Sequence, residues 1–344
     1  MADRIPVVLV AGFLGSGKTT LLNHLLRDNR GTRIGVVVND FGAINIDSML
    51  VAGQVDAMVS LGNGCVCCAV DVTELDEMFT RLTQPRAGID VIVVEASGLA
   101  EPRNLIRMVV GSDNPRLRYG GLVEVVDAEQ FPQSSTRHPE LRTHLRLADL
   151  VVVNKADRVA PEQLARLREN IAALVGSVPV YATTYGRMDP GLLFDEPGRT
   201  RPLVAEQLSF DELLVEHDHD HDAEHRHLHD DYTSVSFASE RALDPRKLIG
   251  FLEDPPPGLF RAKGFAAFGV ADERRKFVLH VVGRYIVFEP GGWSRGETRG
   301  AQLVLIGAGL HTDTALARLR DTVHDAAEPL DAQSMLGVWR YTTH

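Results

Sequence analysis

Apolar positions fall along this chain in two rhythms. Short unbroken runs of aliphatic and β-branched residues occur at Val7–Val10, Arg33–Asn39, Asp90–Ala96, Gly121–Asp127, Ala148–Val153 and Val178–Thr183. Runs of this length without polar alternation read as strands buried on both faces. Between them, apolar residues recur three and four apart, as in Leu21, Leu22, Leu25 and Leu26, in Val72, Leu75, Met78, Phe79 and Leu82 within Asp71–Thr83, and in Pro161–Val175. That spacing predicts helices. Strands alternating with helices predict an α/β fold, a doubly wound and mostly parallel sheet that binds its ligand at the strand C-termini.

The pattern changes twice in the second half. Within the linker 201–231, Glu216–Asp231 is almost wholly histidine and acid, and Tyr232–His344 regains an apolar rhythm in a different form. Strand-like runs at Tyr232–Ala238, Ala262–Gly269, Lys276–Val282, Arg284–Phe288 and Gln302–Ile306 surround helical stretches near Pro245–Leu252 and Thr312–Val323. A smaller α+β domain is expected there, with Trp293 and Trp339 as packing residues and Arg261 and Lys263 exposed. The expected division is therefore 1–200, a linker at 201–231, and 232–344.

Composition narrows the function classes. The 344 residues are 44% hydrophobic and 24% charged, ordinary for a globular protein of two domains. A formal charge of −11 argues against a nucleic-acid or anionic-membrane surface and suits cations better. No apolar run reaches the length of a membrane span, and Met1–Arg4 leads straight into the first strand, so a cytoplasmic location is expected. All three cysteines lie within Cys65-Val66-Cys67-Cys68. So placed, they cannot staple distant parts of the fold and point instead to metal or redox chemistry.

The strongest local signal is PVVLVAGFLGSGKTTLL at Pro6–Leu22. Gly12, Gly15, Ser16, Gly17, Lys18, Thr19 and Thr20 form a G-x-x-x-x-G-K-T loop between strand and helix, the context that a phosphate-binding loop requires. Glycines there let backbone N–H groups converge on phosphate oxygens at a helix N-terminus. Lys18 would reach the β- and γ-phosphates of GTP and the Thr19 hydroxyl would ligate Mg2+. After the second strand, Asp40 and Asp47 are either carboxylates near the γ-phosphate or the acids of a strand-ending turn. Glu95 ends the Asp90–Ala96 strand, where a carboxylate can hold Mg2+ directly or through water, and Ser97 is the better helix cap beside it. Asn154-Lys155-Ala156-Asp157 ends another strand. Its aspartate can accept both the N1–H and the 2-amino group of guanine, and the Lys155 stem can cover the base. Thr184–Gly191 follows as a loop that could close over that base.

Two stretches carry candidate metal ligands. A helix beginning just beyond Cys68 would favour the thiolate form of Cys65, Cys67 and Cys68, although cysteine is also a common core residue. Glu216–Asp231 holds six histidines, His217, His219, His221, His225, His227 and His229, among seven acids in sixteen residues. Such a segment cannot build a hydrophobic core, and neutral imidazoles flanked by carboxylates favour weak, multiple binding of Zn2+ and similar ions.

Taken in order, GFLGSGKTT, the DFG-containing segment at Asp40, GNGCVCC, VEASGLAEP and NKAD resemble CobW-type GTPases, relatives of the UreG and HypB nickel-insertion GTPases. The likeness continues through PVYATTYGRMDPGLLF to Phe260-Arg261-Ala262-Lys263-Gly264-Phe265, similar to that family's C-terminal signature. It implies GTP-gated handling of a transition metal, with Cys65, Cys67 and Cys68 matching the C-x-C-C metal motif. It also implies that Glu95 replaces the usual aspartate of the third GTPase box. Where the family often has N-E-F-G-E, this chain has Asn39-Asp40-Phe41-Gly42-Ala43, with one acid shortened and the other lost.

The expected function is then a slow, Mg2+-dependent GTPase that binds zinc, with cobalt next, and delivers it to a client metalloprotein. Lys18, Glu95, Asp40 and Asp47 are its candidate catalytic groups. The resemblance admits a nucleotide-dependent homodimer. The alternative is a metal buffer that uses nucleotide only as a structural ligand.

Overall fold

The computed structural model describes residues 4–38, 57–60, 72–98, 100–194, 233–325, 327 and 330–342. Seven strands build the first sheet: β1 (Ile5–Ala11), β2 (Ile34–Val38), β3 (Ala57–Ser60), β4 (Val91–Glu95), β5 (Leu117–Asp127), β6 (Leu150–Asn154) and β7 (Val180–Ala182). Their order is β3-β2-β4-β1-β5-β6-β7, and every neighbouring pair is parallel. The expected doubly wound sheet is present, wholly rather than mostly parallel. Its central strand is β1, where the chain's winding reverses, so the loop after β1 opens into the crevice that such sheets offer to ligands. The strand β3 was not expected. Its four residues are too short a run to register as a period.

Helices cover both faces of this sheet, chief among them α1 (Lys18–Arg27), α2 (Val72–Leu82), α3 (Pro102–Val110), α4 (Phe131–Arg137), α5 (Glu140–Leu147) and α6 (Pro161–Val175). The periodic residues do what their spacing requires. Leu21, Leu22, Leu25 and Leu26 of α1 pack on Val8, Val10, Val36 and Val93, while Leu75, Met78, Phe79 and Leu82 of α2 pack on Val7, Leu9, Ile92 and Val94. Helix α3 begins at Pro102 with Glu101 in the N-cap position and no side-chain cap, so Ser97 does not cap it. The short helix α7 (Pro190–Leu193) is capped by Asp189, whose carboxylate accepts from the Gly191 amide at 2.7 Å.

The second sheet is antiparallel, ordered β11-β10-β9-β12-β8 from β8 (Thr233–Ser239), β9 (Leu259–Ala266), β10 (Lys276–Val282), β11 (Tyr285–Gly291) and β12 (Ala301–Gly307). Helices α8 (Pro245–Glu253), α9 (Thr312–Arg320) and α10 (Leu336–Arg340) cover one face, burying Leu248, Phe251, Leu252, Leu319 and Val338 against Phe277, Leu279 and Phe288. Three expectations need correction here. The helix expected to run to Val323 stops at Arg320, and Val323 bridges to Leu243 instead. Trp339 is 39% exposed on α10, whereas Trp293 packs edge-on against Phe265 at 5.6 Å beneath Lys276. Arg261 is buried rather than exposed, standing on β9 between Val282 and Ile306, which pack against the first sheet.

The two sheets share a hydrophobic cluster: Phe260, Val282 and Ile306 pack with Val123 and Val125 of β5. A polar latch lies beside it. Asp149, just before β6, accepts from the Tyr119 hydroxyl at 2.6 Å and the Leu122 amide at 2.9 Å, and also from the Arg284 amide in the β10–β11 turn. Burial pushes the Asp149 carboxyl above the ordinary range, and these donors oppose that shift.

Candidate nucleotide and metal site

Three connections converge at the C-terminal edge of the parallel sheet. The first is Gly12–Lys18, held open by glycines. Gly12 has φ +143°, and a Cβ there would lie 2.3 Å from the Val125 carbonyl oxygen; Gly17 has φ +102°, and a Cβ would lie 2.2 Å from Asn154 Nδ2. Neither position has room for a side chain, which leaves the loop's backbone free to approach a ligand closely. Lys18 is 7% exposed and donates to the carbonyl oxygens of Gly12 at 3.0 Å and Phe13 at 3.3 Å. Its ammonium therefore folds back over the loop whose amides would meet phosphate.

The second is the end of β4. The Thr19 hydroxyl donates to Glu95 Oε1 at 2.7 Å across 76 residues of sequence, and Glu95 is 2% exposed. The two groups read from sequence as Mg2+ ligands are thus in direct contact. Hard oxygen donors suit that ion, so the donor set fits.

The third is Asn154–Asp157 after β6. Asn154 is buried and clamps two loops, donating from Nδ2 to the Ser16 carbonyl at 3.0 Å and accepting the Gly186 amide on Oδ1 at 2.9 Å. Lys155 sits at φ +60° and spans from the Gly15 carbonyl at 2.7 Å to Asp127 Oδ2 at 2.6 Å, its stem lying along the phosphate loop. Asp157 stands exposed in the following turn, its carboxylate open to solvent. The 184–191 loop is tied down at both ends, by Gly186 to Asn154 and by Asp189 to Arg30 at 2.8 Å. Thr20 follows Thr19 in the first turn of α1.

Two acids that motif reading passed over belong to this edge. Asp127 ends β5 and pairs with Lys155 while its Oδ1 accepts the amides of Glu129 and Gln130 at 2.9 and 3.0 Å. Glu124 is 3% exposed inside β5, and burial pushes its carboxyl up to about 8 against the pull of Lys18, with Glu101 adding to the rise. The signal in the sequence was a lone acid breaking the apolar run of GGLVEVVD. Asp40, Asp47, Cys65, Cys67, Cys68 and the six histidines from His217 to His229 lie outside the described residues. Among the described residues, no three His, Cys, Asp or Glu side chains group so as to hold a metal ion, and no helix is long and apolar enough to cross a membrane.

Residues 6–182 match the family described as CobW/HypB/UreG, nucleotide-binding domain, and residues 232–323 match the cobalamin synthesis protein cobW C-terminal domain. The chain belongs to the CobW/HypB/UreG family. Among curated members, a zinc chaperone CobW of Pseudomonas aeruginosa is 31% identical over 352 residues, covering 92% of this chain and 91% of that protein. The zinc chaperone YjiA of Escherichia coli is 33% identical over 202 residues, which span 57% of this chain and 63% of YjiA. The solved structure of Zn(II)-bound YjiA GTPase aligns over 94% of this chain and 100% of that one, with 21% identity and a TM-score of 0.44. Both matched regions of the family fall on the two sheets described above.

Proposed function

We propose that this CobW-family chain is a Mg2+-dependent GTPase that carries a transition metal, zinc first and cobalt next, and hands it to a client metalloprotein. The observation that carries the nucleotide half is the meeting of Lys18, the Thr19–Glu95 pair and the Asn154–Lys155 clamp at one sheet edge. Amides of Gly12–Gly17 and the Lys18 ammonium would bind phosphate oxygens. Thr19 and Glu95 would hold Mg2+, which when bound neutralises phosphate charge. Asp157, exposed beside the clamp, offers guanine the paired acceptors that adenine cannot use.

Turnover asks little covalent chemistry of the protein. Lys18 and the loop amides stabilise charge that develops on the phosphoryl oxygens, and Glu95, Asp40 and Asp47 are the carboxylates available to orient water. The metal half rests on Cys65, Cys67 and Cys68, whose thiolates suit zinc, and on relatives that bear the name zinc chaperone. A relative in Schizosaccharomyces pombe is named zinc-regulated GTPase metalloprotein activator 1. The cysteines lie in sequence just after β3, which runs parallel, through β2, to the β4 strand that ends at Glu95. A cation held more tightly in one nucleotide state favours that state in return. GTP would therefore tighten the thiolate site and hydrolysis would loosen it. His217–His229 would act as a loading antenna rather than a defined site. The acidic net charge argues against nucleic acid or a membrane as partner, and placement in the cytoplasm and a nucleotide-dependent homodimer are part of the same reading.

The test is displacement of fluorescent GDP by GTP and ATP, with phosphate release measured in Mg2+ and in EDTA. Displacement by GTP but not ATP, with release that needs Mg2+, is expected. Preference for ATP would overturn the guanine reading and point to a small-metabolite kinase.

A further inference from the structure

Beneath the phosphate loop lies a carboxyl group that none of these roles uses. Glu124 stands opposite Ala11 in the β1–β5 pairing, one residue before the glycine loop begins. Its Oε2 is buried without a hydrogen-bond partner, and so is the hydroxyl of Ser16 in the loop above. Both residues line a cavity of about 230 Å3, walled by Phe13, Phe131 and Leu141.

The charges around Glu124 come from several elements. Lys18, at the start of α1, is the cation that acts on it, and Glu101, at the N-cap of α3, is the anion. Glu101 contacts His144 of α5 at 3.3 Å. His138, after α4, rests its ring on Phe13 at 5.0 Å and contacts Glu140 at 3.1 Å. Asp127 and Lys155 line the same cavity as a pair of opposite charges.

We propose that Glu124 is a positioning residue that couples nucleotide binding to the uptake of one proton above neutral pH, where its carboxylate restrains Lys18 in the free chain and its neutral acid releases Lys18 to phosphate. The inference rests on the nucleotide-binding reading above. Phosphate draws the Lys18 ammonium off the loop carbonyls and brings several negative charges over the loop. Both changes disfavour a carboxylate buried below. The proton comes from solvent and ends on the Glu124 carboxyl, and the burial that already raises this group to about 8 places the exchange on the alkaline side of neutrality. Linkage then requires that nucleotide bind more weakly as pH rises through that range.

Calorimetric titration of the full chain with Mg2+ and GDP, in two buffers of different ionisation heat, counts the protons. The dissociation constant measured from about pH 7.5 to about pH 9.5 gives the matching slope. The wild-type chain should take up a proton at the alkaline end, its dissociation constant rising about three- to tenfold across the range. E124Q should take up none, show a flat profile, and bind more tightly than wild type at the alkaline end. A double variant H138N/H144N should keep the wild-type profile. An unchanged slope in E124Q, a loss of affinity equal at every pH, or no proton uptake by the wild-type chain would each overturn the proposal. Should E124Q fail to fold, the wild-type proton count decides alone. Absence of GDP binding at every pH would overturn the nucleotide reading and this inference with it.

Discussion

Replacing Asp149 with alanine should cost more stability than any surface change in this chain, and the size follows from the donors it serves. Asp149 accepts two buried groups, the Tyr119 hydroxyl and the Leu122 amide, and the amide of the exposed Arg284 from the second sheet. Each orphaned buried donor costs about 1–3 kcal/mol. Because burial already raises the Asp149 carboxyl, holding its charge is itself costly, and removing it returns part of the loss. The net expectation for D149A is about 2–5 kcal/mol, a large share of a typical domain's stability. D149N keeps one acceptor oxygen and offers an amide to a Tyr119 hydroxyl that can reorient, so about 1 kcal/mol is expected. Urea unfolding followed by far-ultraviolet circular dichroism measures both. Since Arg284 belongs to the second sheet and Leu122 to the first, D149A should also split one transition into two. A D149A midpoint within about 1 kcal/mol of wild type, with a single transition, would refute the latch.

Other consequences can be checked separately. G17A adds a Cβ at φ +102°, 2.2 Å from Asn154 Nδ2, so it should lower GDP affinity about 100-fold; a change under about threefold would mean the loop tolerates the shift. The folded chain keeps a proton on Glu124 that the unfolded chain releases, so stability should fall as pH rises from the ordinary glutamate value of 4.5 toward about 8. E124Q should remove up to about 5 kcal/mol of that decline, visible as a flatter plot of unfolding free energy against pH; an unchanged plot would exclude Glu124 as its source. Deleting Glu216–Asp231 should lower the zinc stoichiometry in equilibrium dialysis while leaving GTP binding intact, and unchanged stoichiometry would exclude the antenna.

What could be read from the chain was whatever is local. The phosphate loop, the strands flanking it and the Leu21–Leu26 face are each coded within a dozen residues, and they stand where their periods put them. The contact between Thr19 and Glu95 was legible because two separate strand-end motifs each implied the same ion. Contacts that join distant strands were not. Asp149 lies in a short polar break whose partners are a tyrosine on β5 and a turn in the other sheet, and no spacing encodes that meeting. Glu124 showed only as an acid in an apolar run, and nothing in that run told that it would line a buried cavity with Phe13 and Phe131, which come from other parts of the chain. Trp339 misled because aromatic size argues for the core, while a short terminal helix leaves one side to solvent.

The central claim is that the nucleotide state sets the grip of Cys65, Cys67 and Cys68 on a cation. Zinc affinity, measured by competition with a chromophoric chelator in GDP and in a non-hydrolysable GTP analogue, tests it most directly. Tighter binding with the GTP analogue, lost when all three cysteines become serine, is the expected result. Equal affinities in the two nucleotide states, or state-selective binding that survives the serine substitutions, would contradict it.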